Sequence, residues 1–228
     1  PRVTQDEATG AIVISPADGL HSATFVGPIH GLGDTNMGWA QTAYELHAKL
    51  PWIKFVLPNA PISPVTLNGG MPMPSWYDIT SLDDRANQPC TGIDQSRDTI
   101  HSLIEDALSE GISANRIVVG GFSQGGAMAL YTGLQFPGPP LAGICCMSGY
   151  LPKRAELAAE AAQTPVAHFH GVLDPTVRIE WARESARMVR ELGVASYELR
   201  EYAHLTHSAS LEEINDVEAW LRARLPDS

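Results

Sequence analysis

Cysteine is scarce in this chain of 228 residues and 24.6 kDa. Only Cys90 and the adjacent Cys145 and Cys146 occur, with no C-x-x-C pair. Such a set builds neither a disulfide framework nor a zinc knuckle, and it fits a reducing compartment. Long apolar runs are missing as well: none approaches the ~18 residues of a spanning helix. Basic residues are few, 15 Lys and Arg against 26 Asp and Glu, for a net charge of −11. A generic nucleic-acid or anionic-membrane binder carries the opposite balance, so neither partner is expected. There is no repeat of fixed period, no low-complexity tract and no composition break to mark a second domain. With 44% hydrophobic and 18% charged residues, the expectation is one folded domain over 1–228. The sequence begins at Pro1 with neither Met nor an apolar leader, so any targeting segment is expected to lie outside it. The expected compartment is the cytoplasm, with transient membrane association left open.

What is present is an alternation of short apolar runs with longer amphipathic ones. Strands are predicted at 11–14, 23–26, 53–57, 117–120, 141–147, 166–170 and 196–202. Several are continuously apolar, as in strands buried on both faces of a mostly parallel sheet. Helices are predicted at 38–49, 92–109, 124–136, 154–162, 176–192 and 211–225. Ser210 and Glu213 form a capping-box pattern for the last helix, and Gly193 suits the stop of its predecessor. The result is a layered α/β fold with ligands at the carboxyl ends of the strands. Residues 1–22 form an N-terminal arm and first strand. Residues 58–91 break the rhythm with Pro58, Pro61, Pro64, Pro72, Pro74 and Pro89, and a loop of that length and composition is expected to be a lid or substrate loop.

The sharpest motif is Gly121-Phe122-Ser123-Gln124-Gly125. A G-x-S-x-G between a strand and a helix is a nucleophile elbow, in which the serine sits on a strained turn and its neighbours must be small. A plain tight turn is the alternative. Serine needs a base, and in this arrangement the partners follow in the order Ser, Asp/Glu, His. Only His204 and His207 follow Ser123 with an acid and a strand end between, whereas His168 and His170 precede Asp174. Asp174 is the sole aspartate in the interval. It follows a strand end, and its competing reading is a helix cap; Glu201 is the competing acid. His207 lies just past the last predicted strand and is preferred to His204 as the general base. His168 and His170 alternate on one strand face, and packing is preferred to a metal pair because no third ligand has matching spacing. The oxyanion hole needs two N–H donors. Gln124 follows the nucleophile, and Leu32 lies in His30-Gly31-Leu32-Gly33-Asp34 after an earlier strand. A dinucleotide reading of Gly31 and Gly33 fails because position 36 is Asn.

These motifs, together with P-N-A-P at 58–61, P-V-T-L-N at 64–68, M-P-S-W-Y-D-I at 73–79, N-R-I at 115–117, G-G-F-S-Q-G-G at 120–126, L-Y-T at 130–132, H-G-x-x-D-P at 170–175 and H-S at 207–208, resemble the acyl-protein thioesterase branch of the α/β-hydrolases, also called the phospholipase/carboxylesterase group. The likeness runs over about 29–225. It implies a mostly parallel twisted sheet with helices on both faces and no large cap domain. It implies removal of long-chain acyl (palmitoyl) groups from protein cysteines, with small esters or lysophospholipids as the alternative substrates. It implies a triad of Ser123, Asp174 and His207, oxyanion donors Leu32 and Gln124, and no cofactor or metal. Leu67, Met71, Met73 and Trp76 would line the acyl channel, and a weak homodimer is an option. Three departures stand out: Gly27-Pro28-Ile29 before the H-G motif, Val172-Leu173 in the acid turn, and His204 where glycine is usual. Pro28 cannot donate to a ladder, so a shortened strand or a bulge is expected there. A non-catalytic binding protein on the same fold is the reading from another class.

Overall fold

The computed structural model describes residues 1–83, 88–152 and 157–227. An eight-stranded sheet runs through it, built from β1 (Arg2–Gln5), β2 (Ile12–Ser15), β3 (Ala23–Ile29), β4 (Ile53–Leu57), β7 (Ile117–Phe122), β8 (Gly143–Met147), β9 (Val166–Gly171) and β10 (Tyr197–Tyr202). The spatial order is β1-β2-β4-β3-β7-β8-β9-β10. The six strands from β4 to β10 are parallel, and β2 and β1 are added antiparallel at one edge. Successive residues enter opposite cores, as a period of two requires. Val119, Ile144 and Cys146 join a core with α2 (Ile93–Ser109), α3 (Gln124–Leu134) and α4 (Ile179–Glu191). Val118 and Cys145 join the other, with α1 (Met37–Lys49) and α5 (Leu211–Arg224). Burying each such aliphatic side chain contributes roughly 1.5–3 kcal/mol, which is why these strands read as unbroken apolar runs. Among the described residues no helical domain is inserted over the carboxyl edge of the sheet.

Several elements differ from the sequence expectation. β3 does not stop at 26 but continues to Ile29 through an irregularity in its pairing with β7 between Val26 and Ile29, the bulge that Pro28 called for. Gly27 is required there because a Cβ would collide with the backbone of Gly120. The Pro-rich segment is not plain loop. It forms a hairpin of β5 (Ile62–Val65) and β6 (Met71–Pro74). Pro64 faces Pro72 and Ile62 faces Pro74, alternate rungs of an antiparallel ladder where a missing N–H costs no hydrogen bond. The helix expected at 176–192 begins only at Ile179, since the Thr176 and Val177 N–H groups are bound to Asp174 Oδ1. Of the helix expected at 154–162, residues 154–156 lie outside the described residues. Residues 157–160 are irregular, and Ala161–Gln163 is a single 3-10 turn.

Candidate active site

Strand order assembles the site. The loops after β3 and β7 are neighbours, as are those after β9 and β10, and all four leave the carboxyl edge. They carry Leu32, Ser123, Asp174 and His207 respectively. Ser123 sits between β7 and α3 with φ 55° and ψ −120°, a conformation that costs a non-glycine residue on the order of 1–3 kcal/mol. The flanking glycines are needed for contact. A Cβ on Gly125 would strike the Ile29 and His30 backbone, and one on Gly121 the Gly125 and Ile29 backbone.

Ser123 Oγ lies 2.9 Å from His207 Nε2, and His207 Nδ1 lies 2.7 Å from Asp174 Oδ2. The Asp174 side chain is fully buried, while His207 keeps some access to solvent and packs on the Phe122 ring at 5.1 Å. Burial pushes the Asp174 carboxyl up, but the hydrogen bonds from His207, Val177 and Thr176 outweigh it and hold the carboxyl below its ordinary value. It is therefore a carboxylate, and His207 donates to it through Nδ1–H. That fixes the tautomer and leaves Nε2 free to accept from the serine hydroxyl.

A second line of groups backs the acid. His170 Nε2 is 2.7 Å from Val177 O, which can only accept, so this nitrogen carries the proton. Burial pushes both the His170 and His168 imidazoles down. His170 Nδ1 then accepts from His168 Nε2 at 3.2 Å, and His168 Nδ1 accepts from the Tyr197 hydroxyl at 2.7 Å. The pair is packed in the sheet face as expected. His170 stays uncharged 3.7 Å from Asp174 Oδ2, which leaves the carboxylate charge to His207.

The loop after β3 is held by His30. The Ala60 N–H donates to His30 Nε2 at 3.0 Å. The ring is therefore protonated on Nδ1, which donates to Gly31 O at 2.8 Å. Burial pushes this imidazole down as well. With Gly31 O held on one side, the planar trans peptide turns the Leu32 N–H to the other. Neither the Leu32 nor the Gln124 N–H has a hydrogen-bond partner among the described residues. Both residues line, with Ser123 and His207, a cavity of about 350 Å³. Its walls are largely apolar, with Leu67, Ile79, Leu82, Phe122 and Val177.

Of the four residues expected in the acyl channel, Leu67 alone lines this cavity. Met71 is exposed on β6, and Met73 is half-buried with its sulfur accepting from Asn68. Trp76 does not line it either. It is 1% exposed, and its indole N–H donates to His30 O at 2.9 Å. It borders a separate cavity of about 730 Å³. An apolar residue type does not reveal which side of a wall it faces. Ile79, Leu82, Phe122, Tyr150 and Val177 were missed; Phe122 and Ile79 were visible inside the sequence motifs, but Leu82, Tyr150 and Val177 needed the fold. Glu201 is bound to Arg183, and His204 is exposed in a turn while His207 is the histidine bonded to Ser123 Oγ. Among the described residues no cluster could hold a metal ion.

An open, mostly parallel sheet with an elbow serine, an acid and a histidine at its carboxyl edge is the α/β-hydrolase class. The comparisons with known proteins agree. The sequence profile of the family described as phospholipase/carboxylesterase matches residues 9–225. "Acyl-protein thioesterase 1" of Mycosarcoma maydis is 40% identical, over 94% of this chain and 97% of that protein. "Acyl-protein thioesterase 1 homolog 1" of Dictyostelium discoideum is 38% identical, over 90% and 92%. Among solved structures, Zea mays acyl-protein thioesterase 2 superposes with a TM-score of 0.79 at 30% identity, over 94% of this chain and 98% of that one. Arabidopsis thaliana SOBER1 gives 0.82 at 28%, over 89% and 99%. The chain belongs to the phospholipase/carboxylesterase family and is a serine hydrolase.

Proposed function

We propose that this enzyme hydrolyses thioesters of long-chain acyl groups on protein cysteines, with Ser123, His207 and Asp174 as its triad. The observation that carries the reading is the unbroken contact Ser123 Oγ to His207 Nε2 and His207 Nδ1 to Asp174 Oδ2 beside an apolar cavity. The substrate class is supported by relatives of about this length that bear the thioesterase name. His207 Nε2 takes the Ser123 proton as Oγ attacks the thioester carbonyl carbon. Asp174 stabilises the imidazolium that forms. The carbonyl oxygen becomes an oxyanion bound by the Leu32 and Gln124 N–H groups, each worth on the order of 3 kcal/mol of barrier. Collapse breaks the C–S bond, and His207 returns the proton to the leaving thiol. Water, deprotonated by His207, then attacks the acyl-enzyme, which releases the fatty acid and restores the Ser123 hydroxyl. The family's own description, phospholipase/carboxylesterase, keeps carboxylic esters and phospholipids in view, and a lysophospholipid is the alternative substrate weighed against the thioester. The test is kcat/KM on a palmitoyl-cysteine peptide against a lysophospholipid of the same chain length. A higher value for the peptide supports the proposal. A higher value for the lysolipid moves the enzyme to lipid substrates with the same chemistry.

A further inference from the structure

The two oxyanion donors come from different parts of the chain, one loop after β3 and one after β7. Their spacing has to hold to a fraction of an ångström, because a displacement of about 1 Å can cost roughly 100-fold in rate. One residue touches both loops. The backbone N–H of Trp76 donates to Gln124 Oε1 at 3.0 Å, and its indole Nε1–H donates to His30 O at 2.9 Å. The Trp76 ring packs on His30 with centroids 5.2 Å apart.

Neighbouring bonds reinforce each arm. Gly33 N–H donates to Pro74 O at 2.8 Å, and Gln124 Nε2 donates to Tyr77 O at 2.8 Å and to Ser75 Oγ at 3.3 Å. Ser96 of α2 donates to Trp76 O from behind. Trp76 and Gln124 are both almost wholly buried. Losing one of these bonds therefore leaves a buried group unpaired instead of handing it to water. We propose that Trp76 is a positioning residue, a strut that fixes the spacing of the Leu32 and Gln124 N–H groups. The proposal rests on the assignment of those two groups as oxyanion donors.

Two variants test it from opposite ends. Trp76→Phe keeps a ring but removes the indole donor to His30. Gln124→Met keeps the side-chain length and the backbone N–H but removes the amide that grips Trp76 and Tyr77. Hydrolysis of a soluble long-chain thioester is measured beside inhibition by a trifluoromethyl ketone of the same chain. The ketone adds Ser123 Oγ to its carbonyl carbon, and the resulting oxyanion sits where the reaction's would.

Each variant is expected to lose roughly 10- to 100-fold in kcat, with KM within about twofold. Ketone affinity should fall by the same factor as kcat/KM, and the shape of the pH profile, which reports His207, should not change. The double variant should lose less than the product of the single losses, since both cut one strut. Wild-type kcat in Trp76→Phe, or a loss confined to KM, overturns the proposal. Should Trp76→Phe fail to fold, Gln124→Met decides on the same readouts. Failure of the wild-type enzyme to bind the ketone at all removes the oxyanion assignment itself, and the strut falls with it.

Discussion

Asp174 uses its two oxygens for different partners. Oδ1 ties down the Thr176 and Val177 N–H groups, while Oδ2 receives His207. The capping reading and the triad reading of this residue thus describe different atoms. Asp174→Asn should lower kcat by roughly 10⁴-fold with the fold retained, because an amide stabilises the imidazolium poorly and can hold the wrong tautomer. Steady-state kinetics beside circular dichroism checks this. The sign of the stability effect follows from its depressed folded value. Its contribution is present above the ordinary aspartate range and fades as pH falls through the folded value. Wild type should therefore lose stability on acidification more steeply than the asparagine variant, as denaturant titrations at a series of pH values would show. That Ser123, Asp174 and His207 would meet was legible because motif and chain order constrain them together. Trp76 was not, since its buried donors find their acceptors only once β3 and β7 are adjacent.

Among the elements, α5 carries the least expected feature. Ser210 Oγ accepts from the Glu213 N–H at 3.1 Å, half of the capping box. The other half is weak: the Ser210 N–H pulls on the Glu213 carboxyl electrostatically, but the carboxyl is fully buried and neither oxygen meets a partner at hydrogen-bond geometry among the described residues. Burial raises it to about 7 against the pull of the Ser210 N–H, with Asp216 and Asp174 adding to the rise. A carboxyl raised in the folded state favours folding below its unfolded value and loses that advantage as pH rises through the folded one. Glu213→Gln should thus match wild type near pH 4 and be more stable at pH 8, by on the order of 3 kcal/mol. Thermal unfolding at the two pH values measures it, and equal behaviour at pH 8 would refute the account of this group. Long strands with unbroken apolar runs were legible at this scale. The β5–β6 hairpin was not, because its prolines look like breakers until the rungs they occupy are known. β1 was missed because all four of its residues are exposed and show no apolar period.

For the molecule as a whole, charge is the property with kinetic consequences. A net charge of −11 speeds the approach of cationic substrates and slows that of anionic ones, within a range of about 8 Å at physiological salt. An acyl-peptide flanked by lysines should show a kcat/KM several-fold above one flanked by glutamates, and the gap should close as salt is raised. Stopped-flow or steady-state assays over an ionic-strength series would measure it. No helix among the described residues is long and apolar enough to cross a membrane. The fold class and the gathering of the site at one sheet edge were readable in advance, since strand–helix alternation and the order of motifs determine both. The walls of the cavity were not, because they come from segments far apart in sequence. The central claim, a triad serine in a site that accepts acylated peptide, is tested most directly by fluorophosphonate labelling. Wild type and Ser123→Ala would be compared, with and without a palmitoyl-peptide thioester as competitor. The account predicts labelling of wild type that the thioester blocks and the alanine variant loses; labelling that survives in Ser123→Ala would contradict it.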